Sequence, residues 1–253
     1  DIINGKQLDL PGATAALRWV NGGNGVFSWG VPAVLMAMFL GAPRKELSLD
    51  QETSAFSILM AVLLIIASLP LVQAITFDSS SFELPGFMSG LESSLEEMET
   101  RATGLLMKLL GEVSTGALLA NIVVFALIPA VCEELFFRGF VQQKLGKVVN
   151  PHAAIWITAA IFSLMHLQFY GFFGRLFLGA LLGYLLYKSG SLWPSIIAHF
   201  TYNVINVVVA WGSFKYGWTD QEMLESAPAV PWTLWLPALV VFGGLFYLFW
   251  RKE

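Results

Sequence analysis

Two neighbouring carboxylates, Glu133 and Glu134, stand at the end of an apolar run that begins near Ala120 and has the length of a membrane-buried helix. A charged side chain at the centre of such a helix costs about 2.5–3.5 kcal/mol on insertion scales, so these groups must face other helices rather than lipid. Only 13% of the chain is charged, which makes a pair at that depth a constraint on the whole fold. Helical spacing separates the two. Glu134 and Arg138 are four residues apart and share a face, where they can form an ion pair. Glu133 lies about 100° round the helix and does not reach that arginine easily. Glu134 thus reads as the structural partner, and Glu133 as the carboxylate free for chemistry.

The rest of the chain supplies the surroundings such a pair needs. The 253 residues are 56% hydrophobic, above the roughly 45–50% of soluble domains. Seven windows approach or exceed the roughly 20 apolar residues of a span. They run from about Gly25 to Leu40, Ser54 to Ile75, Ser114 to Phe140, Pro151 to Leu167, Phe172 to Tyr187, Leu192 to Trp211 and Trp232 to Trp250. The expected fold is all-α, a polytopic transmembrane helix bundle. Pro11 to Val20 is expected as a short surface helix, residues 76–86 as a turn-rich break, and 212–230 as a polar, acidic loop. Gln142, Gln143, Lys144 and Lys147 are expected to carry the glutamate helix out into water.

Between the second and third spans, Phe87, Leu91, Leu95, Met98, Ala102, Leu105 and Leu109 recur every three or four residues. Glu92, Glu96, Glu97 and Glu99 occupy the other faces. This predicts an amphipathic helix near 87–110, packed on the bundle or lying on the membrane, with a lid or substrate gate as the sharper alternative. The chain opens at Asp1, without a methionine, so an upstream segment is expected. The net charge of −4 gives no argument for nucleic acid. Cys132 is the only cysteine and reads as a small packing residue. The loops holding Arg44/Lys45, Lys144/Lys147, Lys188 and Arg251/Lys252 share one side if each span crosses once. That side carries seven Lys and Arg against six opposite, a thin margin for calling it cytoplasmic.

Two further spans carry polar groups that hydrocarbon would reject: His166 in one, His199 and Asn203 in the other. With a rise of about 1.5 Å per residue, Glu133 and His166 come out at roughly 25 Å and 22 Å above the loop near Asn150, on antiparallel neighbours. His199 and Asn203 come out shallower, roughly 10–18 Å from Leu192, unless their helix bends or starts deeper. A buried glutamate with a histidine can activate water, and a second histidine with an asparagine can donate to an oxyanion. The set suits hydrolysis of an amide. His152 reads as a surface residue at a helix start, and Arg175 as a snorkelling anchor near a loop. Gly171 and Gly174 read as a tight return, and Gly179, Ala180 and Gly183 as a surface for close helix contact.

Glu133-Glu134-Leu-Phe-Phe-Arg138 resembles the EExxxR motif of the CAAX prenyl endoprotease and bacteriocin-processing family. Phe162-Ser-Leu-Met-His166 resembles its FxxxH motif, and His199-Phe-Thr-Tyr-Asn203 its HxxxN motif. The three occur in the family's order. The resemblance implies an intramembrane endopeptidase with Glu133 as general base on water, assisted by His166. It implies His199 and Asn203 as holders of the oxyanion, and Glu134 and Arg138 as fixing the geometry. The implied partners are a membrane-associated peptide or protein substrate and the bilayer, and the implied location is a prokaryotic cell membrane. The family's picture needs no cofactor, but Glu133, His166 and His199 also make a three-ligand set for zinc. Three blocks are expected in one membrane domain: 1–112 with the first spans and interfacial helix, 113–212 with the three motifs, and 213–253 with a loop and final span. Two other readings fit the same residues. One is an ion or solute transporter, the other a catalytically idle scaffold or immunity protein on the same fold.

Overall fold

The structure, a computed structural model, describes residues 12–80, 85–218 and 230–252. Among them every regular element is helical. Helix α1 is one rod built from Ala13–Gly25, a π-helical stretch Val26–Gly30, and Val31–Phe39. Helix α2 is Ala55–Ser80 and α3 is Ser89–Leu110. Helix α4, Thr115–Leu145, contains two π-helical stretches, Ile122–Leu127 and Glu134–Gln142. Then follow α5 (Pro151–Leu164), α6 (Phe172–Ser189), α7 (Trp193–Tyr216) and α8 (Trp232–Lys252).

Among the described residues four helices are long and apolar enough to cross a membrane: Ala55–Phe77, Thr115–Leu145, Trp193–Tyr216 and Trp232–Lys252. The other segments expected as spans are helical too, and α5 is apolar but shorter. Local signals set the ends. Ser114 caps α4 by accepting from the Ala117 N–H at 3.1 Å, and Asn150 caps α5 by accepting from the Ala153 N–H at 2.9 Å. Pro151 follows at the first turn, where its missing N–H costs nothing. Gly190 ends α6 in the left-handed region, at φ +70°.

Three boundaries differ from expectation. The chain does not break between a surface helix and a first span, because α1 runs straight through Asn21–Gly25. Pro11 lies outside the described residues. The glycines serve contact instead. A Cβ on Gly22 would sit 3.2 Å from Ile128 Cδ1, and one on Gly30 would sit 2.8 Å from Cys132 Sγ. Val124, Ile128 and Cys132 form one stripe of α4, and α1 lies on it closely. The packing outweighs the glycine penalty of about 1 kcal/mol per residue. Second, α2 stays helical to Ser80, and residues 81–84 are not described. Third, α7 continues to Tyr216, and most of the expected acidic loop, 219–229, lies outside the described residues.

Two of the π-helical stretches end just before or run into a proline-bearing turn, at Pro32 and at Pro129. Widening the helix there accommodates a ring that clashes with the preceding turn. Helix α2 is the central pillar, packed on α6, α7 and α8. Its Leu64 and Ile65 meet Leu182, Leu185, Ala198 and Phe249 in the main core. Helix α6 lies along α5, and Gly174, expected in a turn, instead sits in the first turn of α6 against Thr76 and Val72 of α2. At one end of the bundle the lysine-bearing loops come together. Lys144 pairs with Glu46, Lys188 lies 4.7 Å from the Trp250 ring, and Lys252 lies 4.6 Å from the Phe56 ring. The Lys144 ammonium holds the Glu46 carboxyl below its usual range.

The amphipathic helix forms as expected, and its faces sort in an informative way. Leu91, Met98 and Leu105 point outward, while Glu99 and Leu106 are half-buried and Leu109 and Leu110 fully so. The C-terminus of α3 is anchored by Arg18, a buried side chain of α1 that donates to the Leu109 carbonyl at 2.9 Å and to Glu112 at 3.2 Å. A guanidinium on the last carbonyls of a helix suits their partial negative charge.

Candidate active site

Glu134 and Arg138 are both fully buried, and Arg138 Nη1 donates to Glu134 Oε1 at 2.7 Å. The arginine is held at three points. Its Nη2 donates to the Gly179 carbonyl at 3.0 Å, and its guanidinium carbon lies 4.4 Å from the centre of the Phe162 ring. The approach to Gly179 depends on the missing side chain, since a Cβ there would stand 3.2 Å from Arg138 Nη2 and 3.1 Å from Ala159 Cβ. One turn on, Gln142 Nε2 donates to the Gly183 carbonyl at 3.0 Å. Gln142 is 6% exposed and does not lead the helix into water as expected. Its partner carbonyl lies inside the bundle, and only Gln143 and the residues after it emerge.

His199 joins this group from α7. Its Nδ1 lies 2.8 Å from Glu134 Oε1, and its Nε2 lies 4.0 Å from Glu133 Oε2. A carboxylate oxygen only accepts, so Nδ1 carries the proton and donates. Glu133 has no hydrogen bond to another described side chain, and it is partly exposed where Glu134 is sealed. Glu134 is thus the carboxylate paired with Arg138, as the spacing predicts, and Glu133 is the more open of the two.

The depth estimate ranked the histidines in the opposite order. The structure sets His199 against both carboxylates because α7 starts inside the bundle. Leu192 is fully buried, its N–H reaches the Ser48 carbonyl, and its side chain lies against Gly139. From that level His199 climbs about 10 Å, close to the 8–9 Å that separates Gly139 from the glutamates.

His166 lies two residues past the end of α5, not within the helix. Its Nδ1 is 2.8 Å from the Phe162 carbonyl. The carbonyl must accept, which places the ring proton on Nδ1 and leaves the Nε2 lone pair unused. His166 reaches the rest of the group through Phe162. That ring lies 4.8 Å from His166, 6.0 Å from His199 and 5.2 Å from Phe137, centre to centre. The motif phenylalanine is the shared wall of the site. Asn203 is half-buried one turn beyond His199, and its side chain makes no hydrogen bond to another described residue. Arg175 is not a snorkelling anchor. It folds back over Gly171, with Nη1 3.0 Å from Gln168 Oε1 and Nη2 on the Gln168 carbonyl. His152 is exposed, as expected, and meets the Tyr184 hydroxyl at 3.1 Å.

Among the described residues no three His, Cys, Asp or Glu side chains converge to hold an ion. A cavity of about 280 Å³ at the lysine end, lined by Gln142, Lys147 and Tyr187 among others, includes none of the motif residues.

Sequence reasoning missed Gly179 and Gly183 as hydrogen-bond acceptors. The signal was available in principle: donors at 138 and 142 and glycines at 179 and 183 share a spacing of four, which sets two helix faces in register.

No curated protein matches the chain, and no solved structure matches it. Residues 115–205 match the family model described as Type II CAAX prenyl endopeptidase Rce1-like. That segment holds all three motifs and the cluster just described. Over residues 115–205 the chain is thus similar to the Rce1-like family of type II CAAX prenyl endopeptidases.

Proposed function

We propose that this protein is an intramembrane endopeptidase that hydrolyses a peptide bond in a membrane-associated substrate with a water activated by Glu133. The observation that supports it most is the position of His199 between the two glutamates. One ring nitrogen is tied to the sealed Glu134–Arg138 pair, and the other faces the open Glu133 carboxylate at 4.0 Å. That distance is too long for a direct hydrogen bond and suits a shared water.

In this reading Glu133 removes a proton as the water oxygen attacks the scissile carbonyl carbon. The proton then passes to the leaving nitrogen as the C–N bond breaks, giving a carboxylate and an amine. Because His199 Nδ1 is committed to Glu134, its Nε2 can donate to the oxyanion only when the ring is doubly protonated. Asn203, on the same face, supplies a neutral donor. His166, with its proton on Nδ1, offers Nε2 as an acceptor for the attacking water. Glu134 and Arg138 touch no reacting atom and hold His199 in place.

The test is cleavage of a lipid-anchored, internally quenched peptide by the purified protein in nanodiscs. Glu133→Gln is expected to lower kcat about 100- to 10,000-fold while leaving the melting temperature near that of the parent. Cleavage at the parent rate by Glu133→Gln would overturn the assignment.

A further inference from the structure

His166 stands outside the helix that carries the rest of its motif, in the loop between α5 and α6. Little in that loop is held by packing. His166 itself is exposed, as are Met165 and Leu167, and Leu167 takes a left-handed backbone conformation at φ +53°. That conformation is strained for a non-glycine residue and persists only where neighbours enforce it. The neighbours are polar. Ser163 Oγ donates to the Phe172 carbonyl at 2.7 Å and closes the base of the loop. Arg175, from the first turn of α6, reaches back and holds Gln168 by both its side chain and its carbonyl. Gly171 lies directly beneath the guanidinium, and a Cβ there would collide with it. On the other side, Tyr170 donates its N–H to Glu99 at 3.3 Å and its hydroxyl to Glu96 at 2.6 Å, both on α3.

We propose that Arg175 is a positioning residue for His166. By clamping Gln168 over Gly171 it fixes the turn that keeps the His166 ring against Phe162 with its proton on Nδ1. A planar guanidinium holds a side-chain oxygen and a carbonyl at once in a fixed fork, which the rotatable donors of a lysine ammonium do not reproduce. Without the clamp, Leu167 relaxes to an ordinary conformation, and the His166 Nδ1–Phe162 bond is lost. The ring then samples both tautomers. The catalytic half of this inference rests on the reading of the site given above; the structural half does not.

The experiment uses the fact that the chain has three histidines. Protein labelled with ¹⁵N-histidine is examined in micelles by long-range ¹H–¹⁵N spectra, with His166 identified through its disappearance in His166→Gln. In the parent, His166 is expected to show a protonated Nδ1 and an unprotonated Nε2. In Arg175→Ala its two nitrogen shifts are expected to move toward each other, while those of His152 stay. Gly171→Ala, which keeps the arginine but displaces it, gives the same change to a smaller extent. In the cleavage assay both variants are expected to lose kcat, by up to about 100-fold, with KM little changed, and Arg175→Lys recovers only part of the loss. His166 shifts unchanged in Arg175→Ala overturn the proposal, and so does parent kcat in both variants. A parent protein that cleaves no peptide overturns the protease reading alone, because the spectra test the clamp without it.

Discussion

The two motif histidines are held by opposite means. His199 belongs to a sealed contact of four helices, where Arg138 satisfies a carboxylate, a backbone carbonyl and an aromatic face together. His166 belongs to an open loop, where four polar side chains, Ser163 and Arg175 from the loop's two ends and Glu96 and Glu99 from α3, do what packing does elsewhere. The first region resists change because Glu134, Arg138 and His199 are buried, so a lost partner leaves a polar group sealed from solvent. The second is able to move because its bonds lie at or near the surface. A hydrolytic site in a membrane needs both: a rigid charge cluster to set the chemistry, and a margin that lets a peptide in.

That contrast predicts the largest effect at Arg138. Arg138→Leu leaves Glu134 buried with His199 as its remaining partner. Breaking a buried pair from one side costs about 3–5 kcal/mol. The expected outcome is a large fall in thermal stability and in yield from detergent, not restored by Arg138→Lys, which loses the contact with the Gly179 carbonyl. An Arg138→Leu protein with parent stability would remove the distinction between the sealed and the open region.

Gly179→Ala tests the same region by volume alone. The new methyl group would meet Ala159 at 3.1–3.2 Å and Arg138 Nη2 at 3.2 Å. Neither helix backbone can yield much, so about 1–3 kcal/mol is expected from overpacking. The same change at Gly190, which has open space around it but a φ of +70°, should cost about 1 kcal/mol through backbone strain instead. Urea or thermal midpoints of the two variants would separate packing from conformation.

How far the sequence could be read follows from the same division. Helix existence was legible throughout, because apolar runs and caps such as Ser114 and Asn150 act locally. The Glu134–Arg138 pair was legible because spacing of four acts within one helix. The neighbour of Glu133 was not, because the level of His199 depends on where α7 begins, and that depends on Leu192 packing against Gly139. Glycines were the least legible residues. Gly22 and Gly30, inside α1, are contact surfaces against α4. Gly174 looked like a turn and is a crossing point. A glycine's role is set by what approaches it, and sequence shows that only when the partner spacing is also noticed.

The smallest expected effect lies in the open region, at Tyr170. Its hydrogen bond to Glu96 and the charge of the α3 glutamates push the phenol up to about 12 from an ordinary 10. A raised phenol means that the folded protein holds this proton more tightly than the unfolded chain does. The contribution is therefore complete below about pH 10 and fades as pH climbs from 10 to 12. The bond is near the surface, so its loss is worth no more than about 1 kcal/mol. Tyr170→Phe should leave the thermal midpoint almost unchanged and raise hydrogen exchange in the N-terminal half of α3 and in the 165–171 loop. Exchange near the C-terminus of α3, held by Arg18, should not rise. If exchange rises along all of α3, the helix is docked as one unit, and the open region reaches as far as the Arg18 anchor.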